Sequence, residues 1–375
     1  MNEYFYELIR VSIGNQNSLS HQPSQKEWDD LYKIAQKQSL VGICFVGIQK
    51  LRQTTNVDTL LQQTYMQWLA FVARIQQRNE LLDCKCKIIQ EYLINENIKF
   101  CILKGQGVAR YYNGKLINLR QPGDIDLWFD GDFESILSYL CKKGKIEDIN
   151  EIHAHWPFFD NVDVEVHFTP SFLSNRIANR RLQKWFHSQK EQQFSNVNEI
   201  GIHVPTDDFN QVFLLLHIYR HLFGEGIGLR QIMDLYFAYK QKTDSIENLL
   251  ISLGLQKFDK ALNWVMWHIF ENEDPLSKKF SSLNTNEDAG RFVLAEMEQM
   301  GNFGKYDERY KLNRKTPHFY RFIQMVVFKM RFAKFFPLEV AWQPIDIIRR
   351  FVNYRFMKHK ITKIRKCNVI TYKRG

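Results

Sequence analysis

Arg120-Gln121-Pro122-Gly123-Asp124-Ile125-Asp126-Leu127-Trp128-Phe129 is the stretch on which the reading of this chain turns. Pro122-Gly123 bends the backbone, and the acids that follow alternate with apolar residues, the pattern of a short strand. Residues two apart on a strand share a face, so Asp124 and Asp126 are expected side by side, roughly 7 Å apart at their roots. Downstream, Val162-Asp163-Val164-Glu165-Val166-His167-Phe168 repeats the alternation and puts Asp163, Glu165 and His167 on one face. Carboxylates on an apolar strand are costly to bury without a cationic partner. With the two strands as neighbours, three or four acids converge, and a divalent metal is the usual remedy for their repulsion. Asp-x-Asp alone reads more readily as the wet side of an edge strand, so the flanking residues decide.

Upstream, Ile98-Lys99-Phe100-Cys101-Ile102-Leu103 reads as a strand, followed by the turn Lys104-Gly105-Gln106-Gly107 and a helix over Val108 to Tyr112. Such a turn can offer backbone N–H groups to phosphate. Glu165 supplies a third carboxylate from a separate strand. Strand, glycine turn, helix, Asp-hydrophobic-Asp strand and later strand acid together resemble the nucleotidyltransferase (DNA polymerase β-like) superfamily. More narrowly, Leu103-Lys104-Gly105, then Arg120-x-x-Gly123-Asp124-Ile125-Asp126-Leu127, then Glu165-Val166-His167 resemble the bacterial uncharacterised nucleotidyltransferase family classed as type 5. The motif-bearing likeness covers about residues 95 to 240.

The resemblance implies an α+β fold, a small mixed-sheet core flanked by N-terminal and C-terminal helical lobes. It implies two divalent ions, Mg²⁺ or Mn²⁺, held by Asp124, Asp126 and Glu165, and transfer of a nucleoside monophosphate from an NTP to a hydroxyl acceptor. Gly105 then belongs to the phosphate turn, between Lys104 and Gln106. Gln106 is a departure, because the superfamily carries Gly-Ser or Gly-Gly there, and a bulky amide would crowd or re-aim a triphosphate. It is the argument for a rival of another class, a catalytically inactive binding module of the same fold. Lys104 and Arg120 are the nearest cations in sequence, expected either to steady the triphosphate or to form salt bridges with the acids. The acceptor is open: a small molecule or glycan, a protein hydroxyl, and an RNA 3′ end all fit the chemistry.

His167 lies two residues beyond Glu165 and is expected behind the metal ligands, whereas His153 and His155 read as surface or structural residues. His217 and His221 stand four apart on one helix face without the Glu that a zinc-protease motif needs. The resemblance puts them, with Arg230 and Asp234, on a lobe covering the nucleotide cleft.

Four regions follow from the patterning: residues 1–95, helical; 96–206, the α/β core; 207–300, a helical domain; and 301–375, linker, aromatic helical lobe and basic tail. Ser24-Gln25-Lys26-Glu27 is a capping box, and Gly42 and Gly47 allow close packing in the apolar run Leu40 to Leu51. A start signal at Asn56 precedes a long helical pattern from Leu60 to Leu93, Phe133 to Lys143 reads as a helix, and Thr206-Asp207-Asp208 caps the next. Gly301 to Lys315 is the expected linker. The 45% hydrophobic and 25% charged composition is that of a folded protein rather than a disordered one. The N-terminus has no signal-peptide pattern, no 18-residue uncharged apolar window exists, and the six cysteines have no disulfide-framework spacing. A cytoplasmic protein with reduced thiols is expected. The net charge of +10 lies entirely in residues 349–375, where ten Lys or Arg are interleaved with aromatics and no acid occurs. The tail is either a solvated helix end, an RNA contact or an anionic-membrane contact.

Overall fold

The computed structural model describes residues 3–54, 60–271, 285–309 and 318–372, so the start signal at Asn56 and part of the expected linker lie outside the described residues. The chain forms two compact units, neither of them a continuous stretch. The first comprises Met1–Leu81, Ala109–Pro122 and His217–Phe328, and the second comprises Leu82–Val108, Gly123–Leu216 and Lys329–Gly375.

The second unit holds a four-stranded sheet of β1 (Phe100–Leu103), β2 (Ile125–Phe129), β3 (His153–His155) and β4 (Val164–His167). Their order is β1-β2-β4-β3, with β2 and β4 parallel and both outer pairs antiparallel, so the sheet is mixed as expected. Period-2 alternation gives it two unlike faces. Phe100, Ile102, Ile125, Leu127, Phe129, Ala154, Val164 and Val166 form one, each 2% exposed or less. Asp126, Trp128, His153, Glu165 and His167 belong to the other, and the register sets Asp126 beside Glu165 and His153 beside His167. Trp128 continues this face under a cover of aromatics, stacked on Phe209 at 5.6 Å and tilted against Phe194 at 4.8 Å.

The strands are shorter than the alternation suggests. Asp163 falls outside β4, is 79% exposed on its side chain, and meets His155 at 3.3 Å. The turn after β1 tightens at once into a helix over Gly105–Ala109, ahead of the expected Val108 start, and a 3-10 turn follows at Gly114–Leu119. Close packing accounts for this early turn: a Cβ on Gly107 would lie 2.8 Å from the Ile102 carbonyl oxygen. The helix Phe133–Lys143 has the expected bounds, starts from a capping box between Asp132 and Ser135, and packs along the helix Pro337–Tyr372.

The first unit is helical. Ser24 and Glu27 form the expected capping box on the helix Gln25–Gln38. In the helix Val41–Thr54, a Cβ on Gly42 would meet the Leu119 carbonyl oxygen at 2.2 Å, and one on Gly47 the Leu8 carbonyl oxygen at 2.8 Å. Both glycines therefore serve backbone-to-backbone packing. Residues 301–309, expected as linker, are instead built into this unit. Asn302 bonds to Gln231 and Ser39, and Arg309 pairs with Glu296 and Asp307. Among the described residues no helix is long and apolar enough to cross a membrane.

Candidate metal and nucleotide site

Asp124 ends the turn leading into β2, Asp126 is its second residue, and Glu165 is the second residue of β4. The β2–β4 register brings these three acids together: one carboxylate oxygen from each lies within 4.8 Å of the other two. Lys104, at the end of β1, completes the cluster with its Nζ 2.8 Å from Asp126 Oδ1. His167 Nε2 reaches the same oxygen at 2.9 Å, and Asp126 is 1% exposed.

The electrostatics of the two aspartates diverge. Asp124 is pushed up to about 6, first by the charge of Asp126, then by burial, with Glu165 adding to both and Lys104 only partly offsetting them. Burial would raise Asp126 too, but the Lys104 ammonium and the His167 hydrogen bond outweigh it and hold that carboxyl well below the usual range. Lys104 is raised: burial works against its charge, and Asp126, Asp124 and Glu165 overcome that. Burial pushes His167 down despite Asp126, so the ring is neutral near pH 7 and donates Nε2–H to the carboxylate. The cluster thus retains uncompensated negative charge at Asp124 even with Lys104 in place. Three carboxylates are also the hard-oxygen donor set that suits Mg²⁺ or Mn²⁺. A divalent cation therefore fits the residues present.

The phosphate turn stands beside the acids. Gly105 has φ +42° and Lys104 φ +49°, both left-handed, and a Cβ on Gly105 would lie 3.5 Å from the Asp124 carbonyl oxygen. Gln106, expected to crowd this turn, donates its amide to Asp83 on the helix Gln62–Asn95.

Arg120 has a different setting from the one expected. Its guanidinium is gripped by Asp234 through Nε at 2.7 Å and Nη2 at 2.8 Å, and Arg120 and Asp234 are 2% and 3% exposed. Tyr112 donates to the same carboxylate at 2.7 Å. Arg120 is therefore a buried cation of the first unit, and the acid it pairs with is Asp234 rather than the strand acids. Arg230 donates to the Gln121 carbonyl at 3.3 Å in the same unit. His217 and His221 pack ring on ring at 4.3 Å, and His221 Nδ1 lies 2.6 Å from Glu225. They do not belong to either group of three potential metal ligands found among the described residues.

The second such group was missed by the sequence reading: His153, Glu165 and His167. His153 Nδ1 lies 2.9 Å from Glu165 Oε2, because the antiparallel register sets His153 opposite His167. The alternating tripeptide His153-Ala154-His155 was the available signal.

In the tail, Arg349 is bound by Glu151 and Asp346, Arg350 by Asp346, and Lys360 by Glu134. The side chains of 351, 354–357, 363 and 365–372 lie outside the described residues, and with them most of the aromatic–basic interleaving.

The sequence model of one protein family, described as "Uncharacterised nucleotidyltransferase", matches residues 24–270. Comparisons with the curated proteins and with the solved structures gave no match.

Proposed function

The chain belongs to the uncharacterised nucleotidyltransferase family, and on that premise we propose that it moves a nucleoside monophosphate from an NTP to a hydroxyl acceptor at the acid cluster of β2 and β4. The observation that carries the reading is the convergence of Asp124, Asp126 and Glu165 within 4.8 Å, next to the Lys104 ammonium. These three acids would hold Mg²⁺ or Mn²⁺, two ions in the pattern the family resemblance implies. Bound there, the metal supplies charge neutralisation for the triphosphate and Lewis-acid assistance to the acceptor hydroxyl.

The chain's own residues supply the rest. Phosphoryl-type transfer depends on positioning and charge more than on covalent help. Lys104, 18% exposed on its side chain and next to the glycine turn, holds its ammonium 2.8 Å from Asp126 Oδ1, where it would steady the phosphate oxygens of a bound triphosphate. Glu165 is 26% exposed, the most open of the carboxylates that contact His153 and His167, and accepts the acceptor's hydroxyl proton at a carboxylate oxygen. Asp126, anchored by His167 Nε2–H, keeps a fixed orientation. The hydrogen bond from Gln106 to Asp83 supports the catalytic reading over an inactive binding module, because it ties the bulky amide to the helix Gln62–Asn95.

The test is to incubate purified protein with each labelled NTP, Mg²⁺ or Mn²⁺, and a cell extract, and to identify what becomes labelled. We expect label on a single acceptor class, lost with EDTA. Glu165→Gln should retain less than about a tenth of the transfer, while Asp163→Asn, exposed and outside β4, stays close to wild type. NTP binding without turnover under every condition would favour the binding module. A lethal Asp163 change would move the third ligand from Glu165.

A further inference from the structure

Glu165 has two flanks. One faces Asp124 and Asp126; the other faces the imidazoles of His153 and His167, of which only His167 Nε2 is engaged by the acid cluster, through Asp126. His153 Nδ1 comes within 2.9 Å of Glu165 Oε2, yet it makes no hydrogen bond among the described residues. His167 is 2% exposed; its Nε2 is 3.8 Å from the same Glu165 oxygen, and its Nδ1 is buried and likewise without a hydrogen-bond partner. The two rings meet edge to face, centroids 5.2 Å apart. Buried polar atoms ordinarily find partners, and leaving them without one costs free energy. Two imidazoles and a carboxylate whose ligand atoms lie within 4.8 Å of one another are a donor set for a divalent ion.

We propose that His153, Glu165 and His167 form a second metal site that takes a first-row transition ion in the Mn²⁺-to-Zn²⁺ series in preference to Mg²⁺. Imidazole nitrogen is a good ligand for the later ions of that series and a poor one for Mg²⁺, whereas the three-carboxylate flank has the opposite character. Asp126 gives His167 the carboxylate hydrogen bond that usually orients a metal-bound histidine. Glu165 is common to both flanks and bridges them, so the enzyme's choice of metal would be set by His153 as well as by the acids. The inference rests on the proposed function only through that shared carboxylate.

Co²⁺ is the probe, because its visible absorption reports nitrogen ligation directly and needs no turnover. Untagged, EDTA-treated full-length protein is titrated with Co²⁺, and separately with Mg²⁺ by calorimetry. We expect His153→Ala to weaken Co²⁺ binding by more than about tenfold and to remove its absorption bands. The Mg²⁺ affinity of that variant should change less than about twofold. His155→Ala, on the same strand but turned to Asp163, serves as the folding and specificity control and should keep the Co²⁺ spectrum. Asp124→Asn should lower Mg²⁺ affinity while the Co²⁺ bands persist. A Co²⁺ spectrum unchanged in His153→Ala, or lost equally in His155→Ala, overturns the second site. An Mg²⁺ affinity unchanged in Asp124→Asn would instead overturn the proposed function, so the two failures are distinguishable.

Discussion

Asp124 and Asp126, two positions apart, have opposite roles in the metal-free protein, because Lys104 and His167 both bind Asp126. Removing either charge looks from the sequence like relief of repulsion. The structure divides the pair: Asp126 is paired with the Lys104 ammonium and accepts a hydrogen bond from His167, whereas Asp124 bears the remaining repulsion. Folding raises Asp124 from 3.8 to about 6, so its contribution to stability is complete below pH 4 and is lost as the pH climbs through 6. Asp124→Asn should therefore stabilise the protein in EDTA at pH 7.5 by about 2 kcal/mol, a figure reduced for partial exposure, and should make no difference at pH 4. Asp126 is shifted downward, so its contribution is present above the unfolded aspartate range and disappears in acid. Asp126→Asn leaves the Lys104 ammonium without its main partner and should cost about 3 kcal/mol at pH 7.5. Thermal melts of both variants at the two pH values check this; equal shifts of the same sign would refute the division of roles.

At the scale of elements, the sheet was legible wherever period-2 alternation was long enough to see. β2 and β4 announce themselves through Ile125-Asp126-Leu127 and Val164-Glu165-Val166, which is why the three carboxylates could be read as one cluster. β3 is three residues long, and its paired residues lie 10 to 14 positions away, so its length alone does not mark His153 as Glu165's neighbour. The Arg120–Asp234 pair was hidden by distance along the chain, its members being 114 positions apart. The turn after β1 shows a third kind of information, close approach. Gly107 has an ordinary backbone, but a methyl there would meet the Ile102 oxygen at 2.8 Å and Val204 at 3.3 Å. Gly107→Ala should cost about 1–3 kcal/mol by overpacking. Because it pushes β1 away from the turn that carries Lys104, it should also weaken NTP binding more than Mg²⁺ binding. Unchanged thermal stability in Gly107→Ala would mean that the strand gives way freely and the turn is not fixed by this contact.

For the molecule as a whole, a formal charge of +10 concentrated in residues 349–375 suggested a surface for RNA or anionic lipid. Three of those cations already have acidic partners within the second unit. Arg349 spans Glu151 and Asp346, Arg350 joins Asp346 while lying 4.4 Å over the Phe172 ring, and Lys360 reaches Glu134. Asp346 is itself 3% exposed, so its two arginines are holding a buried charge rather than decorating a surface. A cation already paired inside the fold releases no counterion when a phosphate approaches, and contributes little to salt-dependent binding. The start of the tail is therefore a clasp within the second unit, and any nucleic-acid role must come from the cations beyond it. Arg349→Ala should lower stability by about 1–2 kcal/mol, and Glu151→Gln should show a coupling of about 1 kcal/mol with it in a double-mutant cycle. The same Arg349→Ala protein should bind a single-stranded RNA as the wild type does, with the same dependence on salt between about 50 and 200 mM. If instead the variant melts like wild type but loses RNA affinity and about one phosphate's share of the salt slope, Arg349 is a nucleic-acid ligand and the clasp is incidental.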